Sequence, residues 1–202
     1  MRLFVIQKWE KDNMKIVEPL VCGVSNHYLL NGNTITTKVK KLNQLQGVYA
    51  QPIPEDRYEE IAYEVALDQS KKEAVSGTLQ FGVSMLNPYT IDGEFSCTKG
   101  HFHANLEYDE YYFGYEGEGF LLYWDGKQEW FAEPVFPGSV HHIDGKYAHR
   151  LINTSLNQVM KVGACWNALA GYNYGSIEET GFPVRCYCED GKAVWKEQKG
   201  NK

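Results

Sequence analysis

Two histidines one residue apart, His101 and His103, sit in the run TKGHFHANLEYDEYY (98–112), and Glu110 follows the second by seven residues. Imidazole nitrogens and a carboxylate are ligands for a borderline divalent metal. On a strand, residues i and i+2 point to one face and stand about 6–7 Å apart, a separation one ion can bridge. Glu110 opens the run EYYFGYEG, on which it shares a face with Tyr112. A third histidine, His149, lies in AHRLIN, with Leu151 and Asn153 on its face. Alone, a His-x-His pair is as readily two solvated or hydrogen-bonded side chains. Three imidazoles and one carboxylate together make a mixed nitrogen–oxygen set suited to Fe(II), Mn(II), Ni(II) or Zn(II). Four protein ligands leave one or two positions open on a six-coordinate ion, as catalysis requires.

Thr98-Lys99-Gly100 immediately precedes the first histidine. It offers a hydroxyl, a cation and a glycine at which backbone N–H groups can approach an anion closely. The same three residues also read as an ordinary turn. Net charge is −6, so an anion site in this chain must gather its positive groups locally. The other histidines are weaker candidates. His27 has no ligand-like neighbour, and the adjacent His141 and His142 face opposite ways on a strand, so at most one lines a pocket. Arg150 points off the His149 face and is expected in a structural ion pair. Glu107 and Asp109 are expected as solvated loop acids.

The elements that must position these groups are strands. Aromatic residues make up 14% of the 202, fourteen of them tyrosines, a bias towards β structure. IAYEVALD (61–68) alternates, with Ile61, Tyr63, Val65 and Leu67 on one face. LQFGVSML (79–86) puts Leu79, Phe81, Val83 and Met85 on one face and Ser84 on the other. From residue 95, turn signals come in quick succession: Gly117 and Gly119, Asp125-Gly126, Pro137-Gly138, Asp144-Gly145. This spacing predicts an all-β antiparallel fold, a jelly roll or small barrel. Pro52 and Pro54 predict a turn or short helix, and Glu178-Glu179 a second short helix. The expected divisions are an N-terminal arm with edge strands (1–50), the barrel (51–190) and a C-terminal tail (191–202). Trp124, Trp130 and Trp195 are expected in sheet packing or at a subunit surface.

Bulk properties exclude several classes. An acidic chain lacks the basic footprint of a nucleic-acid binder. The apolar run in MRLFVIQKWEKD spans four residues, too short for a signal peptide, and no apolar run of 18 residues exists, so no membrane span is expected. Five cysteines without a CxxC pair argue against a thiolate zinc site and for reduced thiols in the cytoplasm.

The order Gly100, His-x-His, Glu110, Gly117, Pro137-Gly138, His149, Asn153 resembles the two motifs of the cupin superfamily, a jelly-roll β-barrel or double-stranded β-helix. Six residues separate His103 from Glu110, against the usual three or four. With that spacing the chain is similar to the cupin-type glucose-6-phosphate isomerases of archaea and some bacteria. The resemblance rests on TKGHFHA (98–104), Glu110, GEG (117–119), PGSV (137–140), AHRLINT (148–154) and GYNYGSIEETGF (171–182), and covers residues 31–185. It implies a metal on His101, His103, Glu110 and His149, most often Fe(II) or Mn(II). It implies a sugar phosphate held by Thr98 and Gly100, with Lys99 nearby and Ser84 where the family has threonine. Tyr63, Tyr112 and Tyr174 would meet the sugar, with Glu110 and Tyr174 as catalytic groups. Two positions depart: a family histidine is Tyr172 and a family tyrosine is Trp166. The implied activity is interconversion of glucose 6-phosphate and fructose 6-phosphate in glycolysis and gluconeogenesis, by a cytoplasmic homodimer. The rival readings are a cupin dioxygenase on the same ligands and a non-catalytic sugar-phosphate-binding cupin.

Overall fold

A computed structural model describes residues 19–70 and 73–198. The run MRLFVIQKWEKD and the last four residues of the expected tail lie outside the described residues. The elements in order are β1 (Ile35–Lys41), β2 (Ile61–Asp68), β3 (Leu79–Leu86), β4 (Thr90–Ile91), β5 (Glu94–Phe95), β6 (Glu110–Glu116) and β7 (Gly119–Trp124). There follow β8 (Trp130–Val135), β9 (Val140–Ile143), β10 (Ala148–Asn153), β11 (Met160–Asn167), α1 (Gly175–Thr180), β12 (Val184–Glu189) and β13 (Lys192–Glu197). The segment after Pro54 is a 3-10 turn, Glu55–Arg57.

All strand pairings are antiparallel. Three sheets form, ordered β1-β2-β3-β11-β6-β9, β10-β7-β8 and β13-β12-β5-β4. The first two face each other across a core of Leu86, Leu121, Tyr123, Val135, Ile143, Leu151, Met160 and Val162. The opposite face of β7 and β10, carrying Leu122, Trp124, Ala148 and Ile152, packs on Phe95, Val184, Cys186 and Phe182. The middle sheet is thus covered on both sides. That is why GFLLYW is a continuous apolar run where half-exposed strands alternate. The whole is an all-β jelly-roll barrel. No helix among the described residues is long and apolar enough to cross a membrane, and all five cysteines are unpaired.

Alternation on β2 and β3 sorts their side chains as the sequence predicts. Tyr63, Val65, Leu67 and Ser84 face the barrel cavity. Ala66 and Val83 pack behind the sheet against Leu30 and its neighbours. Three expectations are corrected. His101 and His103 do not lie on a continuous strand: Gly100 has φ +75°, and His101 and Phe102 make only single bridges, to His149 and Asn173. The stretch expected as a tail carries β13, paired along its length with β12. Arg150 has no carboxylate partner among the described residues; it donates to Lys99 O (2.7 Å) and lies 4.2 Å over the Phe182 ring.

Asn153 ties the barrel's end together. Fully buried, it donates from Nδ2 to Leu86 O (3.0 Å) and Gln158 O (2.9 Å) and accepts from Ser155 N–H (3.0 Å). It joins β3, β10 and the loop entering β11 at once. Removing it takes a donor from the buried Leu86 carbonyl, at about 1–3 kcal/mol, and frees the part-buried Gln158 carbonyl and the Ser155 N–H as well. Asn153→Ala is expected to lower unfolding free energy in urea by about 2–4 kcal/mol. A loss under about 0.5 kcal/mol, the usual effect at a neutral surface position, would contradict this.

Candidate metal centre and anion pocket

Three segments deliver the four ligand-bearing side chains. The bridge segment supplies His101 and His103, the start of β6 supplies Glu110, and β10 supplies His149. His101 and His149 exchange backbone hydrogen bonds (3.3 and 3.1 Å), which sets their rings 4.5 Å apart. The His101 and His103 rings stand 5.9 Å apart, close to the spacing expected of i and i+2 despite the broken strand. One donor atom from each of His101, His103, Glu110 and His149 lies within 4.8 Å of all the others.

The second ring nitrogens fix the tautomers. His103 Nδ1 donates to Tyr108 O (2.6 Å), and His149 Nδ1 is 3.4 Å from Tyr147 O. A carbonyl only accepts, so the Nε2 atoms present lone pairs to the interior. There Glu110 Oε1 stands 2.7 Å from His149 Nε2 and 3.6 Å from His103 Nε2. Neither Glu110 Oε1 nor His149 Nε2 has a formed hydrogen bond, though both are buried. A carboxylate oxygen and an imidazole nitrogen buried at that distance require a cation, either a proton on the ring or a metal ion shared by both. The residues therefore fit a divalent metal ion. Burial alone would raise the Glu110 pKa; with no ion at the centre, positive charge on His149 and His103 and hydrogen bonds from their protonated rings hold it well below the usual carboxylate range, a place that a bound metal cation can take instead. Burial, then the neighbouring His149, pushes His101 well below the usual imidazole value.

The centre lies at one wall of a cavity of about 410 Å³, within the range of small-molecule sites. Thr98, Lys99, Gly100 and Ser84 line it, as do Tyr63, Tyr112, Tyr172 and Tyr174. Thr98 is pinned by paired bonds to Leu151: its N–H donates to Leu151 O, and its Oγ1 accepts from Leu151 N–H (3.0 Å). Its hydroxyl hydrogen stays free for the cavity. A Cβ on Gly100 would lie 2.6 Å from the Phe182 ring and 3.0 Å from Arg150 Cβ, so only glycine fits this turn. The Lys99 ammonium pairs with the Glu178 carboxylate of α1 and sits 5.0 Å over the Tyr174 ring. Tyr172 stacks on Tyr174 (6.1 Å) and meets the His101 ring at 4.8 Å.

Burial, then the Glu110 charge, keeps the Tyr112 phenol well above its usual range. Burial pushes Tyr63 to about 12, and burial with Glu110 pushes Tyr172 to about 12. All three remain neutral hydrogen-bond donors at physiological pH.

The other candidates fall elsewhere. His27 is exposed. His141 turns inward to Glu133 (2.7 Å) and Ser139 (2.9 Å), and His142 turns outward to Asp109 (2.8 Å), so neither lines the cavity. Asp109 is more than a solvated loop acid: it also accepts from Gly145 N–H (3.0 Å), clamping the β9–β10 turn beside the centre. Trp166, noted only as a departure, lines the cavity. Sequence reading missed Lys38 and Lys40 as lining residues. The i, i+2 spacing of the two lysines was the available signal; their place opposite Val65 and Tyr63 comes only from the strand register.

Comparison with known proteins places this geometry in context. The family described as glucose-6-phosphate isomerase (GPI) matches residues 39–202. Glucose-6-phosphate isomerase of Thermococcus kodakarensis is 37% identical over 174 residues, covering 79% of this chain and 87% of its own. That of Thermococcus gammatolerans is 35% identical, covering 71% and 76%. Among solved structures, an oxalate decarboxylase of Bacillus subtilis aligns at TM-score 0.41 and 15% identity, over 52% of this chain and 25% of its own.

His149→Ala is expected to cut Mn(II) or Fe(II) binding, measured by metal analysis after equilibrium dialysis. The loss should exceed the ~10–100-fold typical of removing only a supporting partner. A folded variant that retains its full metal content would refute the ligand assignment.

Proposed function

The chain belongs to the glucose-6-phosphate isomerase family, and from that membership we infer that it interconverts glucose 6-phosphate and fructose 6-phosphate. The observation that carries the reading is one cavity holding both a four-ligand metal set and a wall of anion-binding groups. A dioxygenase has no use for the second feature. A non-catalytic binder has no use for the first.

Thr98, Gly100 and Ser84 hold the phosphate end, with Lys99 beside them. Phosphate on a sugar carries about −1.5 to −2 charge at pH 7 and offers three acceptor oxygens. Hydroxyls and backbone N–H groups on a rigid turn meet those oxygens without adding conformational cost. His101, His103, Glu110 and His149 would hold a divalent ion, which when bound would polarise the substrate carbonyl and lower the pKa of the neighbouring hydroxyl. Fe(II) or Mn(II) suits the nitrogen–oxygen set best, with Zn(II) and Ni(II) as further candidates. Tyr63, Tyr112 and Tyr174 donate hydrogen bonds to the sugar hydroxyls. Trp166, buried among Leu67 and Ala164, excludes water from the apolar wall.

Isomerisation moves one hydrogen between C1 and C2 and one proton between their oxygens. Glu110 is the carboxylate placed to carry the carbon proton, through an enediol. Its depressed pKa keeps it ionised but makes it a weak base. Tyr172, held neutral by burial, stands where the resemblance implies a histidine and cannot act as a base near pH 7. Both features leave room for direct hydride transfer from C2 to C1. A homodimer in the cytoplasm completes the reading. The exposed Val140 and Phe136, beside edge strand β9, offer it an apolar surface.

In a coupled assay, EDTA should abolish conversion of fructose 6-phosphate to glucose 6-phosphate, and Mn(II) or Fe(II) should restore it. Full activity in metal-free protein would defeat the reading. With glucose 6-phosphate deuterated at C2, washout of label into solvent shows proton transfer, the role open to Glu110. Complete retention at C1 removes that role and assigns hydride transfer.

A further inference from the structure

Three lysines line the cavity: Lys38, Lys40 and Lys99. In a chain of net charge −6 they are its local supply of positive charge. Lys99 is the nearest to the anion turn in sequence, yet its ammonium is already neutralised by Glu178. Lys38 and Lys40 are different. Neither makes an ion pair or side-chain hydrogen bond among the described residues.

Both sit on β1, the edge of the six-stranded sheet. Lys40 is directly opposite Tyr63, and Lys38 is opposite Val65, which is in turn opposite Ser84 on β3. Directly opposed residues share a face. Lys38, Val65 and Ser84 therefore form one row across the cavity wall, spanning two strand spacings, about 9.5 Å. Lys41, beyond a register shift, turns away to pair with Glu59 (2.5 Å). An edge lysine can also serve simply to block pairing with another sheet. That role would not need two of them aimed into the cavity on the row of a phosphate-binding hydroxyl.

We propose that Lys38 and Lys40 are the positioning cations for the phosphate dianion, supplying the free positive charge that the neutralised Lys99–Glu178 pair does not. The proposal rests on the sugar-phosphate reading above. It makes the β1 strand part of the substrate site, and it makes phosphate recognition depend on ionic strength.

The test compares the metal-loaded wild-type protein with Lys38→Ala/Lys40→Ala, using Lys41→Ala as the control. The double variant should raise KM for fructose 6-phosphate roughly tenfold, with kcat little changed. It should weaken binding of inorganic phosphate, titrated by calorimetry, by a similar factor. The fall of kcat/KM with added salt should flatten. Lys38→Arg/Lys40→Arg should recover most of the loss, which a fold defect would not. An unchanged KM and phosphate affinity in the folded alanine variant would overturn the proposal. So would an equal loss in Lys41→Ala. Phosphate titration needs no turnover, so a wild-type protein inactive on the sugar would sink the isomerase reading while the lysines were still tested.

Discussion

One buried carboxylate organises this molecule. Glu110 is almost wholly enclosed, yet its neighbours keep it ionised. A buried charge must be paired or coordinate a cation. Here the partners are imidazoles, and neither Glu110 Oε1 nor His149 Nε2, 2.7 Å apart, has a formed hydrogen bond. The barrel surrounds this demand. β6 starts at Glu110, β10 carries His149, and the bridge segment presents His101 and His103 against β10. Backbone carbonyls of Tyr108 and Tyr147, both on loops, orient the rings. Asp109 clamps one of those loops to the next turn. The fold places hydrogen-bonded constraints where an unpaired charge would be most expensive.

The cavity beside that centre is lined by two kinds of group: imidazoles and neutral phenols, and hydroxyls, a glycine turn and lysines. A substrate carrying both a carbonyl and a phosphate would find a partner for each in the one cavity. The turn itself is shaped from behind. Phe182 and Arg150 press on Gly100, and the Arg150 guanidinium holds the Lys99 carbonyl. Arg150 is thus buried for the sake of the loop it supports, with an aromatic face in place of a counter-ion.

Much of this was legible in the sequence. Period-two patterns in IAYEVALD and LQFGVSML placed Tyr63, Val65 and Ser84 on the cavity face, because side-chain direction on a strand is fixed by chain geometry. Asp125-Gly126 marked the β7–β8 hairpin for the same local reason, whereas Asp144-Gly145 turns the chain from β9 in one sheet to β10 in another. What was hidden depended on tertiary context. GFLLYW carries no alternation because both its faces are covered. His101 and His103 converge through single bridges around a left-handed glycine, a shape that i, i+2 spacing does not distinguish from a strand. Arg150 found a carbonyl and a ring, partners that no charge pattern reveals. β13 lies where polar residues suggested a tail, since pairing with β12 is a long-range fact. Lys38 and Lys40 reach the cavity through the register of β1 against β2, a pairing distant in sequence.

The central claim is that the four converging side chains hold one divalent ion at the base of the cavity. Anomalous diffraction from crystals grown with Mn(II) tests it most directly. The account predicts a single strong manganese peak enclosed by His101, His103, Glu110 and His149. No peak there, or a peak at another site with Glu110 bonded only to protonated imidazoles, would contradict it.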